Sequence, residues 1–150
     1  MPQSLAEILV HLVFSTKNRE PVLEDDVRAE LHSYIGGIVK NHEGILLKAG
    51  SAADHIHLLI SHPRTCAPAK LVQEVKTGSS KWMKMERQRY TAFHWQNGYG
   101  MFSVSPSHRL TVETYLENQG VRHRKVSFQE EYRQLLTKHG LSYDERYVWD

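Results

Sequence analysis

An α+β fold is what this sequence predicts, and three observations predict it. Short apolar runs of strand character occupy 7–16, both halves of 45–61, and 99–105. Between and after them, apolar residues recur at helical spacing, so the order reads strand, helix, strand, strand, helix, strand and then two further helices. The 150 residues, 40% hydrophobic and 24% charged, contain no long polar or Gly/Pro-rich stretch, which fits a single domain over 1–150.

The first run, EILVHLVFST (7–16), is rich in Val, Ile, Leu and Phe and ends in the polar KNREP, as a mostly buried strand would. EDDVRAELHSYIGGIVKNHEG (24–44) opens on three acids that suit a helix N-terminus, repeats apolar residues at Val27, Leu31, Ile35 and Ile38, and stops near Gly44. ILLKAGSAADHIHLLIS (45–61) is two apolar segments around a small-residue turn containing Asp54, the pattern of two antiparallel strands. From Pro68, a favoured first helical residue, Leu71, Val72, Val75, Trp82 and Met83 fall near one helical face up to about Arg87, across Gly78-Ser79-Ser80. YGMFSVS (99–105) alternates as a fourth strand, and SHRLTVETYLENQG (107–120) reads as a helix closed by Gly120. SFQE, from Ser127, is a capping-box pattern that opens a last helix ending at Gly140. The simplest packing of this order is a ferredoxin-like sandwich, in which two helices cover one face of a four-stranded antiparallel sheet (βαββαβ), with two additional C-terminal helices. The sandwich itself leaves the other sheet face open.

Charge is unevenly placed. Residues 1–63 carry a net −3, residues 64–125 a net +7 and residues 126–150 a net −2, against +2 for the chain. Cations on solvated helix faces account for this, and so does a polyanion-binding surface, which gains affinity by releasing condensed counterions from phosphates. Trp82, Tyr90, Trp95 and Tyr99 share the basic stretch, and aromatics among cations suit unpaired bases. The N-terminal residues lack a basic leader and a small-residue cleavage site, and their apolar run is too short for a bilayer, so a cytoplasmic location is expected. Cys66 is the only cysteine, which excludes an internal disulfide and any Cys-x-x-Cys motif.

DHIHLLIS (54–61) places His55 and His57 on one face of a strand and Ile56, Leu58 and Ile60 on the other. If the isoleucines and Leu58 face the covering helices, both imidazoles project from the open face. Two readings stand: a structural pair, each ring holding one hydrogen bond, or two ligands of one metal ion completed by a third group. The chain has no His-Glu-x-x-His, no Gly-x-x-x-x-Gly-Lys-Ser/Thr, no Gly-x-Gly-x-x-Gly and no paired His-x-Thr/Ser, and it is too short for a TIM-barrel metallohydrolase. In ETYLENQG (113–120), Tyr115 and Gln119 are i and i+4, so on a helix a phenol and an amide share one face. Tyr115 alone reads equally as a core tyrosine with its hydroxyl at the surface. His11, in the first strand, reads as a core residue or a neighbour of the site.

HLVFSTKNR (11–19), DHIHLLI (54–60), WQNGYGMFSVS (95–105) and YLENQ (115–119) together resemble the single-tyrosine transposases named for their His-hydrophobic-His (HUH) motif, of the insertion-sequence type and its REP-associated relatives. The resemblance runs from about residue 5 to 140 and has no departure at the four positions it makes functional. It implies that His55, His57 and Gln119 hold a divalent metal, Mg²⁺ or Mn²⁺, although two imidazoles by themselves also admit Zn²⁺, and that Tyr115 is the nucleophile. The implied reaction cuts and rejoins single-stranded DNA, a strand transfer through a 5′-phosphotyrosine that a waiting 3′-OH can reverse, because a phenol with a pKa of about 10 leaves more readily than an alkoxide. The implied substrate carries hairpins near the element ends. The implied assembly is a homodimer in which one subunit's tyrosine helix completes the other's histidine site. The implied setting is the nucleoid of a bacterial or archaeal cell. Lys76, Lys81, Lys84, Arg87, Trp95, Arg122 and Arg124 are the candidates for DNA contact. Two alternatives remain: an inactive or domesticated protein that binds single-stranded or hairpin DNA, and a small metal-dependent phosphohydrolase using water as nucleophile.

Overall fold

The structure is a computed structural model and describes residues 2–122 and 125–150. Among them four strands form one antiparallel sheet: β1 (Leu9–Ser15), β2 (Ile45–Ser51), β3 (His55–Ser61) and β4 (Gly100–Val104), in the order β2-β3-β1-β4. The central β1 pairs with β3 from Leu9↔Ser61 to Ser15↔His55, and with β4 from Leu9↔Val104 to Val13↔Gly100. Every residue of β1 is buried, as its unbroken apolar run requires.

Helices α1 (Asp25–Asn41) and α2 (Pro68–Glu86) lie on one face of the sheet. Val27, Leu31, Ile35 and Val39 of α1 meet Leu71, Val72, Val75 and Met83 of α2 over Leu12, Phe14, Ile56, Leu58 and Ile60. Each such side chain, fully buried, contributes roughly 1.5–3 kcal/mol relative to exposure. Helix α2 runs unbroken through Gly78-Ser79-Ser80, and the fully buried Ser79 hydroxyl accepts from the Trp95 indole at 2.9 Å. The N-terminal Pro68 and the acids Asp25 and Asp26 sit in first helical turns, where they were expected. No helix among the described residues is long and apolar enough to cross a membrane.

The second sheet face is covered by the C-terminal part of the same chain. Helix α3 (Arg109–Glu117) lies against β2, and α5 (Phe128–Lys138) packs Phe128, Tyr132 and Leu136 on Val13 and Phe102. Helix α5 begins where the capping pattern places it: Ser127 Oγ accepts from the Glu130 amide. It ends at Gly140, whose φ of 68° lets the Leu141 amide bond back to the Leu136 carbonyl. Gly120, by contrast, closes nothing. The helix bends at Asn118 (φ −95°, ψ 14°) and resumes as the short α4 (Gln119–Arg122).

One contact between the layers is pH-sensitive. The His32 ring on α1 lies 2.9 Å from Ser51 Oγ on β2, and burial, with Arg28 adding to it, pushes the imidazole down from 6.5 to about 4. Between these values the unfolded chain takes up a proton that the folded chain refuses, so stability falls as pH drops through that window. His32→Gln is expected to remove about 1–2 kcal/mol of the stability lost between neutral and mildly acid pH, read from urea midpoints. An unchanged pH slope would show that another group is responsible.

Candidate active site

His55 and His57 are both fully buried and project from β3 onto the face beneath α3 and α5. His57 stands across from Val13 on β1 and Gly50 on β2. Gly50 is what lets α3 approach: a Cβ there would lie 2.0 Å from the Leu116 carbonyl oxygen. Seated on that glycine, α3 holds the Tyr115 ring 5.7 Å from the His57 ring, centroid to centroid. The bend at Asn118 then turns Gln119 inward, where it is 1% exposed and its Oε1 lies 3.2 Å from His55 Nε2. The pair His55 and His57 and the pair Tyr115 and Gln119, distant from each other in sequence, thus meet inside one chain.

A fifth residue joins them. Glu131 on α5 is 1% exposed, and its Oε1 lies 2.8 Å from His57 Nε2 and 3.3 Å from His55 Nε2. Its Oε2 accepts from the Tyr115 hydroxyl, from Gln119 Nε2 at 3.2 Å and from Arg122 Nε at 3.1 Å. A buried carboxylate is costly unless its oxygens are paired, and here donors reach both.

The other ring nitrogens are also engaged. Asp54 Oδ1 lies 2.7 Å from His55 Nδ1, and His11 Nε2 lies 2.8 Å from His57 Nδ1. These partners fix the ring orientations and turn both Nε2 atoms toward Glu131, the arrangement that orients metal-ligating histidines. His55, His57 and Glu131 each offer a ligand atom within 4.8 Å of the others. Two imidazoles, a carboxylate and the Gln119 amide oxygen are a donor set that fits a divalent ion.

The electrostatics follow from burial and from Glu131. Burial alone would lower the His55 imidazole, but its hydrogen bonds to Asp54 and Glu131 outweigh this and raise it to about 9. Burial, with His57 beside it, pushes His11 down to about 3, so that ring is neutral. The Tyr115 phenol is raised well above its usual value, first by burial and then by the Glu131 carboxylate.

The candidates for DNA contact separate into groups. Arg122 belongs to the site: its guanidinium lies 5.1 Å from the centre of the Tyr115 ring and is partly exposed. Lys81 and Lys84 line an open cleft of about 690 Å³ along α2, with Tyr99 and Asn97 on its opposite side. Lys76 lines it too, but its ammonium donates to the carbonyls of Gln96, Asn97 and Gly98 and so fastens that loop. Trp95, 6% exposed, packs edge-on against Phe14 and Phe93, which gives its ring a core role. Arg87 bonds to Glu30 on α1. Arg124 lies outside the described residues.

Glu131 and Asp54 were not singled out in the sequence. Glu131 had a visible signal: it interrupts the apolar stripe Phe128, Tyr132, Leu135, Leu136 with an acid at an inward position. Asp54 precedes the histidine motif directly, and its partner is the neighbouring ring.

Comparison with known proteins gives consistent results. The profile of the family described as IS200-like transposases matches residues 4–119. The ISDra2 transposase TnpA of Deinococcus radiodurans is 25% identical over 114 residues, covering 73% of this chain and 81% of that protein. Among solved structures, a candidate transposase from Deinococcus radiodurans R1 superposes with a TM-score of 0.61 at 23% identity, over 80% of this chain and 96% of that one. A REP-associated tyrosine transposase bound to a REP hairpin gives the same TM-score, 0.61, at 12% identity over 96% of this chain and 91% of that one. The last two likenesses are of fold.

Proposed function

Because the chain belongs to the IS200-like transposase family, we propose that it cuts and rejoins single-stranded DNA by transesterification on Tyr115, with hairpin-bearing strands as substrate. The observation that carries this reading is the convergence of the Tyr115 hydroxyl, both histidine Nε2 atoms and the Gln119 amide on the single carboxylate of Glu131. A nucleophile and a ligand set share one buried point, which neither a binding module nor a water-using hydrolase requires of a tyrosine.

His55, His57, Glu131 and Gln119 would hold Mg²⁺ or Mn²⁺, which when bound supplies Lewis-acid polarisation of a non-bridging phosphate oxygen. Tyr115 Oη attacks phosphorus in line; the Oη–P bond forms as the P–O3′ bond breaks, leaving a 5′-phosphotyrosine. The phenolic proton passes to the Glu131 oxygen that already accepts it, and the departing 3′ oxygen takes a proton from water. Arg122, beside Glu131 and the Tyr115 ring, would offset the negative charge that develops on the phosphate. Return attack by a 3′-OH reverses each bond change, so rejoining needs no external energy source. Lys81 and Lys84 supply phosphate contacts along the α2 cleft.

The test is covalent trapping on denaturing gels with hairpin-bearing single strands and Mn²⁺ or Mg²⁺. A metal-dependent adduct carrying label from the 3′ segment of the cut strand is expected, and chelator should abolish it. Nicking with no adduct would favour hydrolysis by water, and binding with neither would favour a binding protein. Mixing the Tyr115→Phe and His57→Ala chains reads the assembly. A site closed within one chain stays inactive in the mixture, whereas a site shared across a dimer regains activity.

A further inference from the structure

Tyr115 is a wall common to two depressions. One is a shallow surface of about 710 Å³ on the side of Asn118, Arg122 and Lys125. The other is a cavity of about 430 Å³ between β4, α3 and α5, lined among others by Phe102, His108, Thr111, Lys138 and His139. That volume lies within the range of small-molecule pockets, about 300–1,000 Å³. A strand crossing Tyr115 with its phosphate at the hydroxyl must place the neighbouring nucleotides on the two sides, one in each depression.

The chemistry of the smaller cavity suits a nucleotide. Its apolar part is Phe102, 2% exposed, on which the His139 ring is stacked at 4.4 Å and 24°. The His139 ring is anchored through Nδ1, 2.9 Å from the Leu135 carbonyl that it donates to, so the Phe102–His139 stack presents a fixed flat ring at an exposed position. The exposed side chains of Lys138 and His108 place an ammonium and an imidazole at the rim. Flat ring surface bordered by a lysine, an imidazole and a hydroxyl matches a base attached to a phosphate, and stacking of this kind tolerates any base.

We propose that this cavity holds one unstacked nucleotide of the single strand, next to the phosphate that Tyr115 attacks, with its base continuing the Phe102–His139 stack. The proposal rests on the reading of Tyr115 as nucleophile, and its test avoids the chemistry so that the two can fail separately. Without metal, the full chain is titrated with the deoxyadenosine pentamer and with an abasic deoxyribose-phosphate pentamer carrying the same phosphates, while the His108 and His139 ring signals are followed by NMR. The expected result is at least about tenfold tighter binding of the pentamer with bases, with shifts at both rings. His139→Ala, and separately Val112→Trp, which fills this cavity from α3, should abolish that preference while leaving the abasic strand's affinity within about twofold. Equal affinity of the two pentamers would reduce the cavity to an anion site and overturn the proposal. So would shifts that spare His108 and His139, or a preference for bases that survives both substitutions. Base preference without any Tyr115 adduct would instead leave the pocket standing and remove the cleavage reading.

Discussion

Tyr115→Phe is expected to abolish the denaturation-resistant protein–DNA adduct, lowering its rate of formation by at least about 10³-fold, because no other group in the site can take the place of the phenolic oxygen. The fold should survive the change. The hydroxyl gives one hydrogen bond to Glu131, whose Oε2 still accepts from Gln119 and Arg122, so the stability cost is about 1 kcal/mol and strand binding persists. Adduct formation by the phenylalanine variant at a rate near that of the parent would assign the nucleophile elsewhere. Loss of strand binding together with the adduct would mean that Tyr115 acts in recognition.

Gly50→Ala should be nearly as damaging to catalysis, by a different route. The added methyl group would meet the Leu116 carbonyl oxygen at 2.0 Å and the carbonyl carbon at 2.7 Å, and backbone cannot rotate aside as a side chain can. Helix α3 must lift by about an ångström, carrying Tyr115 and Gln119 away from the histidines. Overpacking of this kind costs about 1–3 kcal/mol of stability, and a misplacement of about 1 Å in a reacting group can cost about 10²-fold in rate. Urea denaturation and the adduct rate at saturating DNA and metal measure the two effects separately. A rate within about threefold of the parent would show that α3 takes its position from something other than its seat on β2.

Those two residues mark where sequence reasoning succeeds and where it stops. Period-two alternation placed His55 and His57 on one face, and the helical stripes from Val27 to Ile35 and from Leu71 to Met83 were legible because each is a local pattern set by the sheet and by two helices, although the last turn of the first stripe buries Val39 rather than the expected Ile38. Tyr115 and Gln119 were visible as a same-face pair, but the roles proposed for them came from resemblance. Their meeting with the histidines depends on Gly50, and a glycine in a strand does not declare what approaches it. Gly120 misled for a related reason: a glycine after a helical run resembles a cap, but the chain bends two residues earlier to bring Gln119 inward. Glu131 lies 74 residues from His57, and only the packing of Phe128, Tyr132 and Leu136 on the second sheet face determines that the acid points there. The two chemical alternatives differ in nothing that local periodicity reports.

The strand order β2-β3-β1-β4 also sets a timetable. On a ribosome β1 is made first and can pair with β3 once residue 61 has emerged, but its other edge waits for β4, whose last residue is Val104. At about 5–20 residues per second, that edge stays unsatisfied for a further 2–9 seconds or so. The carboxylate that joins Tyr115 to the histidines comes later still, on a helix that ends at Lys138. A nascent chain therefore carries its histidines, its tyrosine and its cationic cleft well before the cluster around Glu131 can close, which waits until α5 has been made.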